Sequence, residues 1–262
     1  MKLDKPKNIP NKPGVYIFKD ISQKPLYIGK AGNLKKRLAF YFSKSVKSLK
    51  LQKLLEEAKQ LKIIETDSEV EALIKEAELI KKHLPKYNVL MRDDKNYFYA
   101  GVTTEKYPRI FITHQPKKNQ NSEFRIQNYE TIGPFTDGTA LKTTLKLLRR
   151  VFPYCTCKES HKRPCLNAEI GRCPGFCCLK RGQLQTTQRQ LRTEASLKSQ
   201  EISYKKNIKN IIEILSGKKG HLLSQLKREM NEWSKKQNYE KAAVLRDQIW
   251  GLENIFEHRH LL

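Results

Sequence analysis

The chain has 262 residues, with 52 Lys and Arg against 27 Asp and Glu, a net charge of +25 and an isoelectric point near 9.8. That length suits one large domain or a core domain with smaller appendages, and that charge favours a polyphosphate partner over an acidic small molecule or a neutral lipid surface. No apolar run approaches the ~20 residues a membrane-spanning helix needs.

Met1 to Pro6 carry no apolar core of the signal-peptide kind, so the sequence reads as cytoplasmic. All six cysteines fall between Cys155 and Cys178. In a reducing compartment such clustering argues for metal ligation over disulfides.

Residues 13–18, rich in β-branched and aromatic side chains, predict a strand. A turn at residues 21–24 leads to a second strand from Pro25 to Gly29, making a hairpin. Asn33 is placed to cap a helix carrying Leu34, Leu38 and Phe42. A Lys-rich helix from Leu49 to Leu61 and a brief strand at Ile63-Ile64 follow. Ser68, with Glu71 three residues on, is a capping box. The helix it opens has an apolar stripe of Val70, Leu73, Ala77, Ile80 and Leu84, and Pro85 ends it.

Extended segments are predicted at Tyr97–Val102, Arg109–His114 and Tyr129–Ile132, with a polar loop at residues 116–121. Thr139 to Val151 reads as a helix, and residues 181–219 as a polar helical linker. Two amphipathic helices follow, one with Leu223, Leu226, Met230 and Trp233, the other with Ala242, Leu245, Ile249, Leu252 and Phe256. The fold class is α+β: a small mixed or antiparallel sheet flanked by helices, then a Cys-rich metal segment and a C-terminal αα-hairpin. The expected divisions are residues 8–95, 96–152, 153–180, 181–219 and 220–257.

Gly14-Val15-Tyr16 and Tyr27-Ile28-Gly29 are each ordinary strand sequence when taken singly. Their fixed order with Lys30, Arg37, Tyr41, Glu76 and Asn88 is what carries information. This pattern resembles the GIY-YIG nucleases, and most closely the N-terminal part of UvrC, the nuclease subunit of bacterial nucleotide excision repair. The stretches that match are residues 13–16, 27–31, 33–38, 76–82 and 85–88. The resemblance implies a metal-dependent endonuclease acting on damaged double-stranded DNA, cutting on the 3′ side of a lesion.

Phosphodiester hydrolysis needs an activated water, relief of charge at phosphorus and help for the leaving oxygen. Arg37 and Tyr41, spaced i, i+4, share one helix face. Glu76 flanks an apolar stripe and is the candidate ligand for Mg²⁺ or Mn²⁺; without a second clustered carboxylate the site reads as one-metal. Arg37 and Lys30 offset phosphate charge, and Asn88 orients groups around Glu76. Tyr27, ahead of Tyr16, is the candidate general base, its phenol lowered from ~10 by Lys30 and the cation.

Cys157, Cys165, Cys173 and Cys177, with seven, seven and three residues between them, are the candidate cofactor ligands. Four thiolates suit Zn²⁺ or a [4Fe–4S] cluster, and the resemblance to UvrC leans towards iron–sulfur. Cys155 and Cys178 leave the quartet open.

Residues 239–249 resemble the UVR motif through which UvrB and UvrC pair, although Trp233 departs from the small residue usual there. The resemblance implies UvrB as partner, with Leu223, Leu226, Leu245 and Ile249 as contact residues. UvrC proteins continue into an RNase H-like nuclease domain, for which this sequence has no counterpart. Two other readings are a nuclease of a different pathway and a non-enzymatic DNA-binding adaptor. The Cys cluster and helix pair argue against the first, and intact Tyr16, Tyr27, Arg37 and Glu76 against the second.

Overall fold

A computed structural model describes residues 6, 8–43, 49–90, 97–114, 129–157, 163–176 and 194–257. Two units emerge. One comprises residues 1–98, 133–141 and 253–262, the other residues 99–132 and 142–252.

In the first unit, β1 (Gly14–Lys19) and β2 (Pro25–Ala31) form an antiparallel hairpin, and β3 (Gln60–Glu65) pairs with the other edge of β1. The order β2-β1-β3 puts β1 at the centre. Its run Gly-Val-Tyr-Ile-Phe is buried at every position, as a central strand covered on both faces requires. Helix α1 (Leu34–Tyr41) starts where the Asn33 side chain accepts the Lys36 N–H at 2.9 Å. Its Leu34, Leu38 and Tyr41 bury against Tyr16, Phe18 and Leu26.

The predicted Leu49–Leu61 helix is shorter. Helix α2 covers Leu49–Glu57, and Leu61 belongs to β3. Local sequence favours helix there, but the open edge of β1 needs a partner, and Lys59 already donates its N–H to the Lys19 carbonyl at 2.8 Å. Helix α3 (Glu69–His83) has the expected cap, with Glu71 N–H donating to Ser68 Oγ at 3.1 Å. Leu84 leaves the predicted stripe: it takes a left-handed C-cap conformation and is 68% exposed. Pro85 is followed by one more turn, α4 (Lys86–Leu90).

The second sheet has the order β5-β4-β6, from β4 (Phe98–Thr103), β5 (Ile110–Thr113) and β6 (Tyr129–Phe135). Strand β6 runs three residues past its predicted end. Helix α5 (Gly138–Val151) follows it, and α6 (Leu166–Glu169) is a single turn. The polar loop predicted at residues 116–121 lies outside the described residues.

Helices α7 (Glu194–Leu215), α8 (Lys219–Lys235) and α9 (Tyr239–Phe256) are the last elements among the described residues. Here the structure corrects the partner-facing stripe. Leu226 is fully buried, Leu245 and Ile249 are buried, and Leu223 is half-buried. Helix α8 turns Leu222 and Leu226 inward while Lys206 of α7 pairs with Glu229. On α9, Gly251 lies so close to Val151 that an added Cβ would meet its side chain at 2.7 Å. The apolar side chains that remain outward on α9 are Tyr239, Val244 and Trp250. Among the described residues no helix is long and apolar enough to cross a membrane.

Candidate active site

The antiparallel register sets Tyr16 opposite Gly29. A Cβ on Gly29 would lie 2.6 Å from Tyr16 Cζ and 3.0 Å from Tyr27 Cε1. Glycine is therefore the residue that lets both rings fold onto this face of the hairpin, and their centroids are 6.1 Å apart. Tyr16 is fully buried, and its hydroxyl lies 2.9 Å from that of Tyr41. Arg37 Nε donates to the same Tyr16 oxygen at 3.2 Å, and its guanidinium sits 5.6 Å from the Tyr41 ring centroid. The i, i+4 spacing on α1 thus delivers a cation and a phenol to one atom of β1.

Glu76 projects from α3 and is 2% exposed. Oε1 accepts the Lys30 backbone N–H at 2.8 Å, and Oε2 accepts the Thr136 hydroxyl at 2.7 Å. Burial pushes its carboxyl up to about 7; Thr136, the Lys30 N–H and the Lys30 charge hold it down, while Asp137 adds to the rise. The Lys30 ammonium is 3.0 Å from Asp137 Oδ2. Burial opposes ionisation of Asp137 as well, but the Ala140 N–H and Lys30 outweigh it and keep that carboxyl below its usual range.

Two expectations change at this point. Lys30 was to lower the Tyr27 phenol, yet burial, followed by Tyr41 and Glu76, pushes that phenol well above its ordinary value. The ammonium is committed to Asp137 instead. Asn88 was to orient groups around Glu76, but its side chain engages β2: Ile28 N–H donates to Oδ1 and Nδ2 donates to the Ile28 carbonyl, both at 2.8 Å. It clamps the strand that carries Tyr27 and Lys30.

Thr136 and Asp137 escaped the sequence reading. They lie about 60 residues beyond Glu76, and the one local signal, an acid just before a predicted helix, reads as an N-cap. Asp137 is indeed that, accepting the Ala140 N–H at 2.9 Å.

In the Cys segment, Cys155 and Cys173 are buried, and Cys157 and Cys165 half-buried. Cys173 Sγ accepts the Gly175 N–H at 3.4 Å. Cys177 and Cys178 lie outside the described residues. Among the described residues no three His, Cys, Asp or Glu side chains gather as a metal-holding group.

Comparison with known proteins finds three families in consecutive segments. Residues 12–89 match the UvrC-like GIY-YIG domain, residues 97–192 the middle domain of UvrC/Cho excinucleases, and residues 221–255 the UvrB/UvrC motif. UvrABC system protein C of Carboxydothermus hydrogenoformans is 38% identical over 257 residues, covering 96% of this chain and 38% of that protein. The protein of that name from Clostridium beijerinckii is 39% identical over 259 residues, covering 96% and 38%. This chain therefore spans about two fifths of the length of the curated relatives it matches. Among solved structures, the GIY-YIG N-terminal endonuclease domain of UvrC from Thermotoga maritima, bound to magnesium, is 48% identical, covering 30% of this chain and 85% of that one, with a TM-score of 0.28.

Proposed function

Because the chain belongs to the UvrC family across its GIY-YIG, middle and UVR segments, we propose that it is a metal-dependent endonuclease of nucleotide excision repair that cuts damaged double-stranded DNA on the 3′ side of a lesion. The observation that carries this is the buried Glu76 carboxylate, held on both oxygens beside a hairpin that gathers Tyr16, Tyr27, Arg37 and Tyr41.

The donor set fits Mg²⁺ or Mn²⁺. Glu76 offers hard oxygen, and its two hydrogen bonds favour the ionised form while leaving lone-pair capacity on each oxygen. When bound, such a cation supplies charge relief at the phosphate. Arg37, held on Tyr16 and stacked on Tyr41, faces a phosphate oxygen with a charge that needs no reorganisation. Lys30 adds a second cation. Water attacks phosphorus and gives its proton to the Tyr27 phenolate, while the P–O bond to the leaving oxygen breaks and that oxygen takes a proton from solvent; the charge of the cation, when bound, would offset the burial that opposes ionisation of Tyr27. Tyr16 is the poorer base, because its oxygen already accepts from Arg37 and pairs with Tyr41. Asn88 keeps β2 in register for both Tyr27 and Lys30.

The UVR hairpin recruits the chain to UvrB, and the outward Tyr239, Val244 and Trp250 support such a contact. Cys157, Cys165, Cys173 and Cys177 hold a [4Fe–4S] cluster, with Zn²⁺ as the other occupant; all-thiolate donors support this, and no catalytic step runs through it. The reaction takes place in the cytoplasm.

The deciding experiment is incision of an end-labelled lesion duplex, with and without UvrA and UvrB, by wild type and Glu76→Gln in Mg²⁺ or Mn²⁺. Lesion-dependent 3′-side nicking by wild type, and none by the variant, is the expected result. Equal nicking by both removes the assigned cation site, and DNA binding without nicking by either leaves the adaptor reading.

A further inference from the structure

The nuclease sequence matched in this chain ends at residue 89, yet the first unit recruits residues 133–141. We infer that the Thr136-Asp137 turn is part of the cation site, with Thr136 setting the carboxylate plane of Glu76 and Asp137 drawing the Lys30 ammonium away from it. This rests on the reading of Glu76 as the cation ligand.

The geometry assigns each residue a separate task. Glu76 Oε1 is held by the Lys30 N–H, which the β1–β2 hairpin fixes. One such bond leaves the carboxylate able to rotate about its last torsion, where the energy is broad and shallow. The Thr136 hydroxyl on Oε2, at 2.7 Å, supplies the second point and fixes the plane. Outer partners of this kind orient metal ligands and are worth about 10–100-fold in metal affinity.

Asp137 acts through charge. The Lys30 side chain is 18% exposed, and its backbone already touches Glu76. Deprived of another anion, its ammonium has Glu76 as the adjacent carboxylate, and a bound ammonium competes with a cation for the same lone pairs. Asp137 Oδ2 takes the ammonium at 3.0 Å, while Oδ1 is itself fixed by the Ala140 N–H in the first turn of α5.

The turn is held in place from both ends. Phe135 is fully buried, and Gly138 lies under the Phe98 ring, where a Cβ has no room. Phe98, Phe135, Thr136, Asp137 and Gly138 all belong to the unit that contains Glu76.

The test is Mn²⁺ binding to the full chain without DNA, followed by electron paramagnetic resonance or calorimetry, with circular dichroism as a fold check. Thr136→Val, which keeps shape and loses the hydroxyl, should weaken binding about 10-fold or more, and Thr136→Ser should stay within about threefold of wild type. Asp137→Asn should weaken binding about 10-fold, and adding Lys30→Met should restore affinity, though not activity. Wild-type affinity in both Thr136→Val and Asp137→Asn, with binding lost in Glu76→Gln, overturns the inference and leaves the cation site standing. Wild-type affinity in Glu76→Gln overturns the reading beneath it. Should Thr136→Val fail to fold, the Asp137→Asn and Lys30→Met pair decides: no loss, or a loss that Lys30→Met does not reverse, refutes the inference.

Discussion

Raising the pH from 5 to 8 in the absence of divalent cation should destabilise the wild-type protein through Glu76, and Glu76→Gln should remove that effect. The folded carboxyl titrates at about 7, against an ordinary value of 4.5, because burial penalises its charge. A raised folded value means that the fold favours the neutral acid. The associated stability is fully present below about 4.5 and is lost as the pH climbs through about 7. At about 1.4 kcal/mol per pH unit, the loss approaches about 3 kcal/mol. For a chain of this size that is roughly 6–12 °C in the melting temperature. Carboxylates held below their usual range, such as Glu57 and Glu229, act in the opposite sense, losing stability as the pH falls. They are common to both proteins, so the quantity to measure is the wild-type minus variant difference, by scanning calorimetry at half-unit pH steps. It should move by several degrees between pH 5 and 8, to the disadvantage of the wild type. Millimolar Mn²⁺ should then raise the wild-type melting temperature at pH 8 and leave the variant unchanged, since a cation favours the ionised carboxylate. A difference that stays flat across this range, with or without Mn²⁺, refutes the argument from burial.

Tyr27→Phe should lower the incision rate by about 10²–10⁴-fold with little change in DNA binding, measured by single-turnover cleavage; a rate within threefold of wild type shifts the base role to another group. Gly29→Ala should cost about 1–3 kcal/mol in a urea titration, because the new methyl group meets the Tyr16 ring, and an unchanged midpoint would show that the ring has space to move. Leu245→Glu with Ile249→Lys should unfold the hairpin, since both side chains are buried, whereas Trp250→Ala should stay folded and weaken UvrB binding; pull-down with UvrB alongside circular dichroism separates the two. Anaerobic purification followed by metal analysis should give iron, with zinc as the other outcome; a protein with neither metal and six titratable thiols removes the cluster.

The sequence by itself determined the hairpin, the cap of α1, the capping box of α3 and the identity of the residues that the nuclease reading needs. These are local matters: alternation, i, i+4 spacing and Ser-x-x-Glu act within a few residues and survive in any context. It also carried the order of Tyr16, Tyr27, Arg37, Glu76 and Asn88, on which the resemblance to the GIY-YIG nucleases rests. Only the tertiary structure decided that Gln60 to Leu61 is strand, because the edge of β1 lies some 45 residues back in the chain and its need for a partner leaves no trace in the local pattern. The apolar stripe of α8 and α9 announced a buried face, but a stripe is the same whether it covers a partner or the chain's own helices, and here Leu226, Leu245 and Ile249 turn inward. The direction of the Tyr27 phenol was out of reach for a related reason: titration depends on what surrounds a group in space, and burial there outweighs the charge of Arg37. Thr136 and Asp137 are the clearest case. Nothing near them in sequence names Glu76 or Lys30, and the chain brings them to within 3.0 Å only because Phe135 and Gly138 dock the turn in the same unit.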